Sequence, residues 1–477
     1  MWHCFTHNSC VCNDVISCVN RVVGKTPLPT QEGLQRLRAT AKIISRKIGD
    51  LVPLTLEEAL ATFKGTKHKL YQRAYDSLKV KPLSERDSII KAFVKAEKFN
   101  PEDKENPDPR MIQARDPRYN LHLSRFLRPL EHKIYSLQLG KSRAIAKGLN
   151  PKQRAELLWQ KWTMFSDPVC VSLDCSRWDK HVSLEVLDIE HAVYQRAYPG
   201  NSELQQLLGW QRINKCVTQN KLRYKVVGGR MSGDMNTASG NCLLMFTMVV
   251  TSMKNLGVRK YQIIDDGDDV LVIVERSDLE TLKERLPGEF LSYGQELKLE
   301  NITDKYEEVE FCQAKPTWNG TEFVFARNWR KVLSQSCCGT KHWNDPHMVP
   351  GMFGLLGDCE LAQHAGIPIL QAFAVRLRQL SGGARARMVH MDSSYQYRIG
   401  SWYRDTDLSE IQPKEITTFA RYMFSKNWNV PVASQIEIER QIMAWTPDIY
   451  YRDVPQEFLE GQWQQLTDPS IPLPTVL

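Results

Sequence analysis

Two periodicities organise the chain. Leu34, Leu37, Ala41 and Ile44 recur at helical spacing and predict an amphipathic helix. Thr55 and Glu58 open the next helix as a capping box. The pattern predicts helix through residues 31–98, again through 121–166, and over most of 182–225. Against this stands Tyr261 to Val274, where two apolar, β-branched runs flank an acidic turn. That reads as strand, tight turn, strand. A further apolar strand ends at Leu173, and Pro316 to Phe325 reads as a hairpin turning at Asn319 and Gly320. Helices are predicted at Ile369 to Leu380, with Pro368 at its start and Ser381, Gly382 and Gly383 ending it, and at Ile436 to Trp445. The residues from Gln456 on read as an irregular tail. The fold class this predicts is α+β.

Composition narrows the picture little. The 477 residues are 42% hydrophobic and 25% charged, an ordinary globular balance, and the length predicts several lobes. The longest apolar run, Cys242 to Val250, has core length, and no run reaches the ~20 residues that span a bilayer. The net charge of +8 allows an acidic partner, but the placement of the charge matters more. The twelve cysteines show no secreted-type pairing pattern. Cys170, Cys175, Cys216, Cys242 and Cys312 sit in or beside apolar segments as buried thiols, which predicts a reducing compartment. Cys4, Cys10, Cys12 and Cys18 raise zinc, but they lack the paired spacing of a zinc knuckle. Pro27 and Pro29 then mark a break.

The candidate chemistry begins at the acidic turn, Asp265, Asp266, Gly267, Asp268 and Asp269. Carboxylates this close repel and call for a cation, and a hard divalent ion with oxygen ligands is the natural one. A solvated acidic hairpin turn has the same sequence. A second acidic pair follows the strand ending at Leu173: Asp174, then Asp179 five residues on, which reads as a strand end plus a turn. Taken singly, either aspartate also reads as a helix N-cap acid. Between the two acidic sites lies a glycine-rich loop, Gly228 to Gly240, running into an apolar helix. Small residues there allow close backbone approach, and the helix start favours anions. Thr237 and Asn241 share one helix face, and both can hydrogen-bond a hydroxyl. Arg110, Arg115 and Arg118 stand among prolines and read as an extended arm presenting guanidinium forks to phosphates, or as a salt-bridge network. Basic residues interleave with Tyr71, Tyr75 and Phe93, and again with Tyr194, Tyr198 and Trp210. Each set reads as a solvated face or as the wall of a single-strand channel.

Taken in order, Asp174 and Asp179, then Ser232, Gly233, Thr237 and Asn241, then Gly267, Asp268 and Asp269 resemble motifs A, B and C of viral RNA-directed RNA polymerases. The flanks from Arg230 to Met245, Glu310 to Gln313 and Pro109 to Asn120 resemble the tombusvirus family, with its carmovirus- and umbravirus-like members. The similarity spans roughly residues 90–330. It implies a right-hand architecture of fingers, a palm of antiparallel sheet plus helices, and a helical thumb. On that plan residues 1–30 are an N-terminal segment, 31–167 the first part of the fingers, and 168–195 the palm with motif A. Residues 196–227 are a fingers insertion, 228–329 the palm with motifs B to E, and 330–477 the thumb and tail.

The resemblance implies nucleotidyl transfer on an RNA template with two ions, Mg²⁺ or Mn²⁺. Asp174 and Asp268 would be the main metal ligands, assisted by Asp269. Asp179 and Asn241 would read the ribose 2′-hydroxyl, with Ser232, Gly233 and Thr237 in the same loop and helix. Arg110 and Arg115 would cover the incoming triphosphate, and Lys298 would donate a proton to pyrophosphate. Phe311, Cys312 and Gln313 match the primer grip. Asp265 and Asp266 depart from the pattern, since related enzymes often carry neutral side chains there. Implied partners are template and nascent RNA, nucleoside triphosphates and a membrane-directed viral auxiliary protein, with the chain at membrane-associated replication complexes in the host cytoplasm. Two rival readings are a reverse transcriptase and a non-catalytic RNA-binding scaffold. The first wants an aromatic sugar gate near Asp179 and an apolar residue where Gly267 stands.

Overall fold

A computed structural model of the chain describes residues 6–99, 107–339, 342–343, 345–391, 395–396, 399, 402–403 and 406–447. Most of the loop read at 100–109 and the whole tail from Gln456 lie outside the described residues. The chain forms two compact units: 6–328 with Thr417–Asn429, and Trp329–Ile416 with 430–447.

The first unit is built on two four-stranded sheets. β1 (Ile90–Val94) pairs antiparallel with β2 (Met111–Ala114), and a two-residue-per-strand hairpin follows, β3 (Gln138–Leu139) and β4 (Ser142–Arg143). β5 (Pro168–Cys175) precedes a second hairpin, β6 (Ile213–Thr218) and β7 (Arg223–Val227). β1 runs parallel to β6, giving the sheet order β2-β1-β6-β7. The remaining strands are β8 (Tyr261–Asp265), β9 (Val270–Glu275), β10 (Leu297–Thr303), β11 (Ala314–Trp318) and β12 (Phe323–Arg327). The wholly antiparallel sheet β10-β5-β9-β8 carries the candidate chemistry.

Strand alternation explains why the two central strands of that sheet, β5 and β9, are largely apolar on both faces. Val169, Val171 and Leu173 of β5, with Val270, Val272 and Val274 of β9, join a core that includes residues of helices Gln31–Ile48, Pro117–Tyr135, Leu184–Ala197 and Thr237–Leu256. The alternate residues Cys170, Leu271 and Ile273 join a separate core with Ala155, Leu158, Tyr306 and Phe311. Both faces are therefore covered, and period two gives way to a continuous apolar run. The longest apolar run sits on helix Thr237–Leu256, buried all round as a core helix. Among the described residues no helix is long and apolar enough to cross a membrane.

The helix at 31–48 buries Leu34, Leu37, Ala41 and Ile44 as predicted, and the Thr55–Glu58 capping box forms with bonds of 2.8 and 3.1 Å. Three helical expectations fail, the first at residues 138–143, where the β3–β4 hairpin interrupts the helix expected over 121–166. Residues 90–94 are strand, with Ile90, Ala92 and Val94 buried and Lys91 and Phe93 outward. Residues 213–227 are a strand hairpin rather than a helical continuation. Helix Thr418–Trp428 packs on the β11–β12 hairpin, where Asn427 Nδ2 donates to the Pro316 carbonyl at 2.5 Å.

The second unit is helical. Helix Val349–His364 packs on Leu370–Leu380, which packs in turn on Val432–Ala444. Arg378 and Arg385 converge on Asp358 at 2.6 and 2.5 Å. His364 is buried against Glu360 at 3.0 Å.

Candidate active site

The acidic turn folds as the tip of the β8–β9 hairpin. Gly267 adopts φ +105°, a conformation costly for any residue with a Cβ. β5 lies antiparallel beside β9, with Leu173 opposite Val270, so the strand ends carry Asp174 and Asp268 to one place. Both aspartates line a single cavity of about 230 Å³ with Asp179, Ser232, Arg110 and Arg177. The four acids of the turn point to different surroundings. Asp265 is fully buried and accepts the Gly267 N–H at 2.7 Å, and burial pushes its carboxyl well above the usual range. Asp266 is held by Lys147 at 2.8 Å and Arg154 at 2.7 Å. Burial alone would raise its carboxyl, but these two cations hold it below the usual range. Only Asp268 and Asp269 remain exposed. Asp269 is pushed up to about 6, first by lost hydration and then by the charges of Asp268, Asp266 and Asp174.

The glycine-rich loop enters from the other side. The Gly233 N–H donates to the Gln113 carbonyl at 3.0 Å, and a Cβ at this residue would stand 2.6 Å from that oxygen. The loop is thus pressed onto β2, and the Ser232 hydroxyl donates to the Met111 carbonyl at 2.9 Å. The Thr237 hydroxyl turns back to the Met231 and Asp234 carbonyls, each at 2.9 Å, and so closes the loop. One turn on, Asn241 donates to Asp179 at 3.4 Å. Burial, then the Asp268 charge, pushes the Asp179 carboxyl up to about 6.

Behind Asn241 lies a buried network that the sequence did not reveal. Arg230 Nε donates to Asn241 Oδ1 at 2.9 Å, while its other nitrogens pair with Glu190. Asn236 donates to the same Glu190 at 2.9 Å. Glu190 is completely buried, yet Arg230 holds its carboxyl below the usual range against the opposing effect of burial.

The arginines do not act as one arm. Arg110 lines the cavity and pairs with Glu97 at 3.3 Å. Arg115 is not brought to the cavity; it is buried, with Asp234 at 2.7 and 3.0 Å and Asn214 at 2.5 Å. Arg118 sits at the start of helix Pro117–Tyr135 and binds Asp87 at 3.0 Å and the Lys81 carbonyl at 2.6 Å. For these two the salt-bridge reading holds. Lys298 on β10 lies opposite Asp174 in register, so both side chains stand on one face of the sheet. Phe311 is buried, and Cys312 and Gln313 form a turn with φ of 51° and 60°. Cys312 Sγ donates to Asp266 Oδ2 at 3.5 Å, linking this turn to the acidic one. Of the N-terminal cysteines, Cys4 lies outside the described residues, Cys10 caps a helix by accepting the Asn13 N–H at 3.3 Å, and Cys18 is buried in a separate apolar cluster.

Among the described residues no three His, Cys, Asp or Glu side chains form a metal-holding group. Two carboxylates on strand ends still fit Mg²⁺. It binds through one or two carboxylates and completes its shell with water and substrate phosphates. After burial, the charges of Asp268, Asp266 and Asp174 raise the Asp269 carboxyl, a crowding that a bound cation would relieve.

An acid-floored, arginine-walled cavity at the end of an antiparallel sheet is suited to handling phosphate esters. The chain belongs to the viral RNA-dependent RNA polymerase family, whose profile matches residues 5–449. It is 37% identical over 458 residues to the RNA-directed RNA polymerase of Tomato bushy stunt virus (strain Cherry), covering 93% of this chain and 55% of that one. It is 33% identical over 445 residues to that of Groundnut rosette virus (strain MC1), covering 91% and 51%, and 33% over 461 residues to that of Cymbidium ringspot virus, covering 94% and 55%. The chain thus spans about half the length of the curated relatives it matches.

Proposed function

We propose that the chain joins ribonucleotides on an RNA template as the polymerase of a positive-strand RNA virus. The observation that carries this reading is the convergence of Asp174 and Asp268 from neighbouring strands on one cavity walled by Arg110. The antiparallel sheet reads as a palm, the β2-β1-β6-β7 sheet with its helices as fingers, and the helical second unit as a thumb. Polymerases of this family generally work with divalent ions. Bound at Asp174 and Asp268, with Asp269 assisting, two Mg²⁺ or Mn²⁺ ions would neutralise the triphosphate and activate the 3′-hydroxyl. Rigid strands hold the carboxylates in place, so positioning and electrostatics carry most of the rate.

The other side chains orient substrate. Arg110 meets the triphosphate with a guanidinium fork. Asp179 and Asn241, already hydrogen-bonded to each other, present polar atoms to a 2′-hydroxyl. Lys298, beside Asp174, supplies a proton to the leaving pyrophosphate. Phe311, Cys312 and Gln313 grip the primer strand next to the acidic turn. Partners are template and nascent RNA, nucleoside triphosphates and a membrane-directed viral auxiliary protein that places the polymerase at replication membranes. Gly267 before the aspartate pair and Asp179 at the sugar position tell against a reverse transcriptase.

The test is incorporation of radiolabelled NTPs on a short RNA with and without Mg²⁺. Asp174→Ala and Asp268→Ala should each lower synthesis at least ~10²-fold while RNA binding persists. Near-normal synthesis by either purified variant would remove the assignment, and Mg²⁺-independent RNA binding without synthesis by the wild type would favour a scaffold.

A further inference from the structure

The cavity has one wall that neither the motifs nor the family resemblance assigns. Residues 6–24 fold back onto the first unit. Cys18 is buried with Ile90, Ala92 and Met111, and Val22 packs beside them. Asp14 is buried and accepts from Asn220 at 3.1 Å. Just past this anchor, Arg21 and Val22 line the same cavity as Asp174 and Asp268.

We propose that Arg21 belongs to the binding surface for the nucleotide's polyphosphate, a reading that rests on the polymerase function above. Its surroundings carry both signs of charge. Arg21, Arg110, Arg177 and Lys180 line the cavity together with Asp174, Asp179 and Asp268, so it offers both cations and carboxylates. A carboxylate or a neutral sugar satisfies only one of these sets. A polyphosphate satisfies both, with oxygens on guanidinium forks and on the cation that the acids require.

The neighbouring cations already have partners. Arg177 donates to Asp108 at 2.7 Å, Asn20 donates to the other Asp108 oxygen at 2.9 Å, and Lys180 reaches the Asn20 carbonyl at 3.3 Å. Asp108 therefore fixes the segment that carries Arg21 through Asn20 and Arg177. Among the described residues, the buried Nε of Arg21 has no hydrogen-bond partner. A buried donor left unmade is costly, and an incoming anion removes that cost. Burial, and next the Arg110 charge, lower the guanidinium's pKa, while the Asp108 and Glu97 charges oppose that shift.

The test uses the purified full chain with Arg21→Ala and Arg21→Lys, and inorganic tripolyphosphate as the probe. Arg21→Ala should weaken tripolyphosphate binding in titration calorimetry about tenfold or more. It should raise the NTP KM by a similar factor, with a smaller change in kcat and an unchanged RNA Kd. Arg21→Lys should recover part of the loss. Unchanged tripolyphosphate affinity in Arg21→Ala would overturn the proposal. So would an equal loss of RNA and tripolyphosphate binding together with a lowered Tm, the mark of a purely structural role. Tripolyphosphate binding by a wild type that incorporates no nucleotide would refute the polymerase reading and leave Arg21 to be decided by the binding arm alone.

Discussion

Replacing Glu190 separates what the buried network does for stability from what it does for the site. Glu190 is fully buried and Arg230 nearly so. Glu190→Leu leaves the guanidinium without its counter-charge, and Asn236 loses its 2.9 Å acceptor. Removing one partner of a buried pair costs about 3–5 kcal/mol. At the low end of ~2 °C per kcal/mol expected for so large a unit, Tm should fall by about 6–10 °C. Replacing both charges with methionine, as Glu190→Met with Arg230→Met, removes the stranded charge and should restore most of that stability. It cannot restore the 2.9 Å bond from Arg230 to Asn241. The double variant should therefore be stable yet choose less sharply between NTPs and dNTPs, by about tenfold for one charge-assisted bond. Scanning calorimetry and the ratio of NTP to dNTP incorporation are the assays. An unchanged Tm in Glu190→Leu, or a double variant that discriminates like the wild type, would refute the reasoning.

Two further outcomes test separate parts of the structure. Asn241→Ala should relax ribose selection while Asp174 and Asp268 keep their places; a lower rate at an unchanged NTP to dNTP ratio would count against sugar reading. Among the described residues Lys161 is buried with only the Gln262 amide oxygen at 2.7 Å, and burial lowers its ammonium to about 7. The unfolded chain keeps that proton to about pH 10.4, so it binds more protons than the folded chain between the two values. Stability should therefore rise with pH across this window, with the full penalty present below about 7. Lys161→Met should stabilise the protein at pH 6 and flatten that slope, and urea midpoints that keep the same pH dependence would contradict the assignment.

What the sequence made legible depended on whether burial followed a simple period. Leu34 to Ile44 and the apolar runs around Gly267 did, and both elements stand where expected. β6 did not, because its buried positions include Asn214 and Thr218 while Ile213 faces out. Its pattern carries no period-two apolar signal, and neighbouring helices drew it into a helical reading. β1 is masked differently, since exposed Phe93 fills a position that should be polar. Arginine roles were the least legible. Nothing local separates Arg110, on the cavity, from Arg115, whose partner Asp234 lies 119 residues along the chain. Glu190 and Arg230 were invisible for the same reason: tertiary folding alone brings them together.

The acidic turn shows how pairing sorts chemically identical residues. Read along the chain, Asp265, Asp266, Asp268 and Asp269 are one patch of negative charge. In the fold, Asp265 withdraws into the core, where its carboxyl favours the neutral form and fixes the turn through the Gly267 N–H. Asp266 keeps its charge but gives it to Lys147 and Arg154. The residues beside Lys147 are locked to β8, since the Ala146 N–H donates to the Asp265 carbonyl at 2.7 Å and the Asp265 N–H to the Ala144 carbonyl at 2.9 Å. Arg154 and Asp266 both reach Cys312, each at 3.5 Å, so this neutralised corner also steadies the turn proposed to grip the primer. Of the turn, Asp268 is left lining the cavity, joined there by Asp174 from β5 and by Asp179. Asp265 and Asp266 therefore brace the promontory from behind and leave the carboxylates proposed above to hold the cations clear of their own ion pairs.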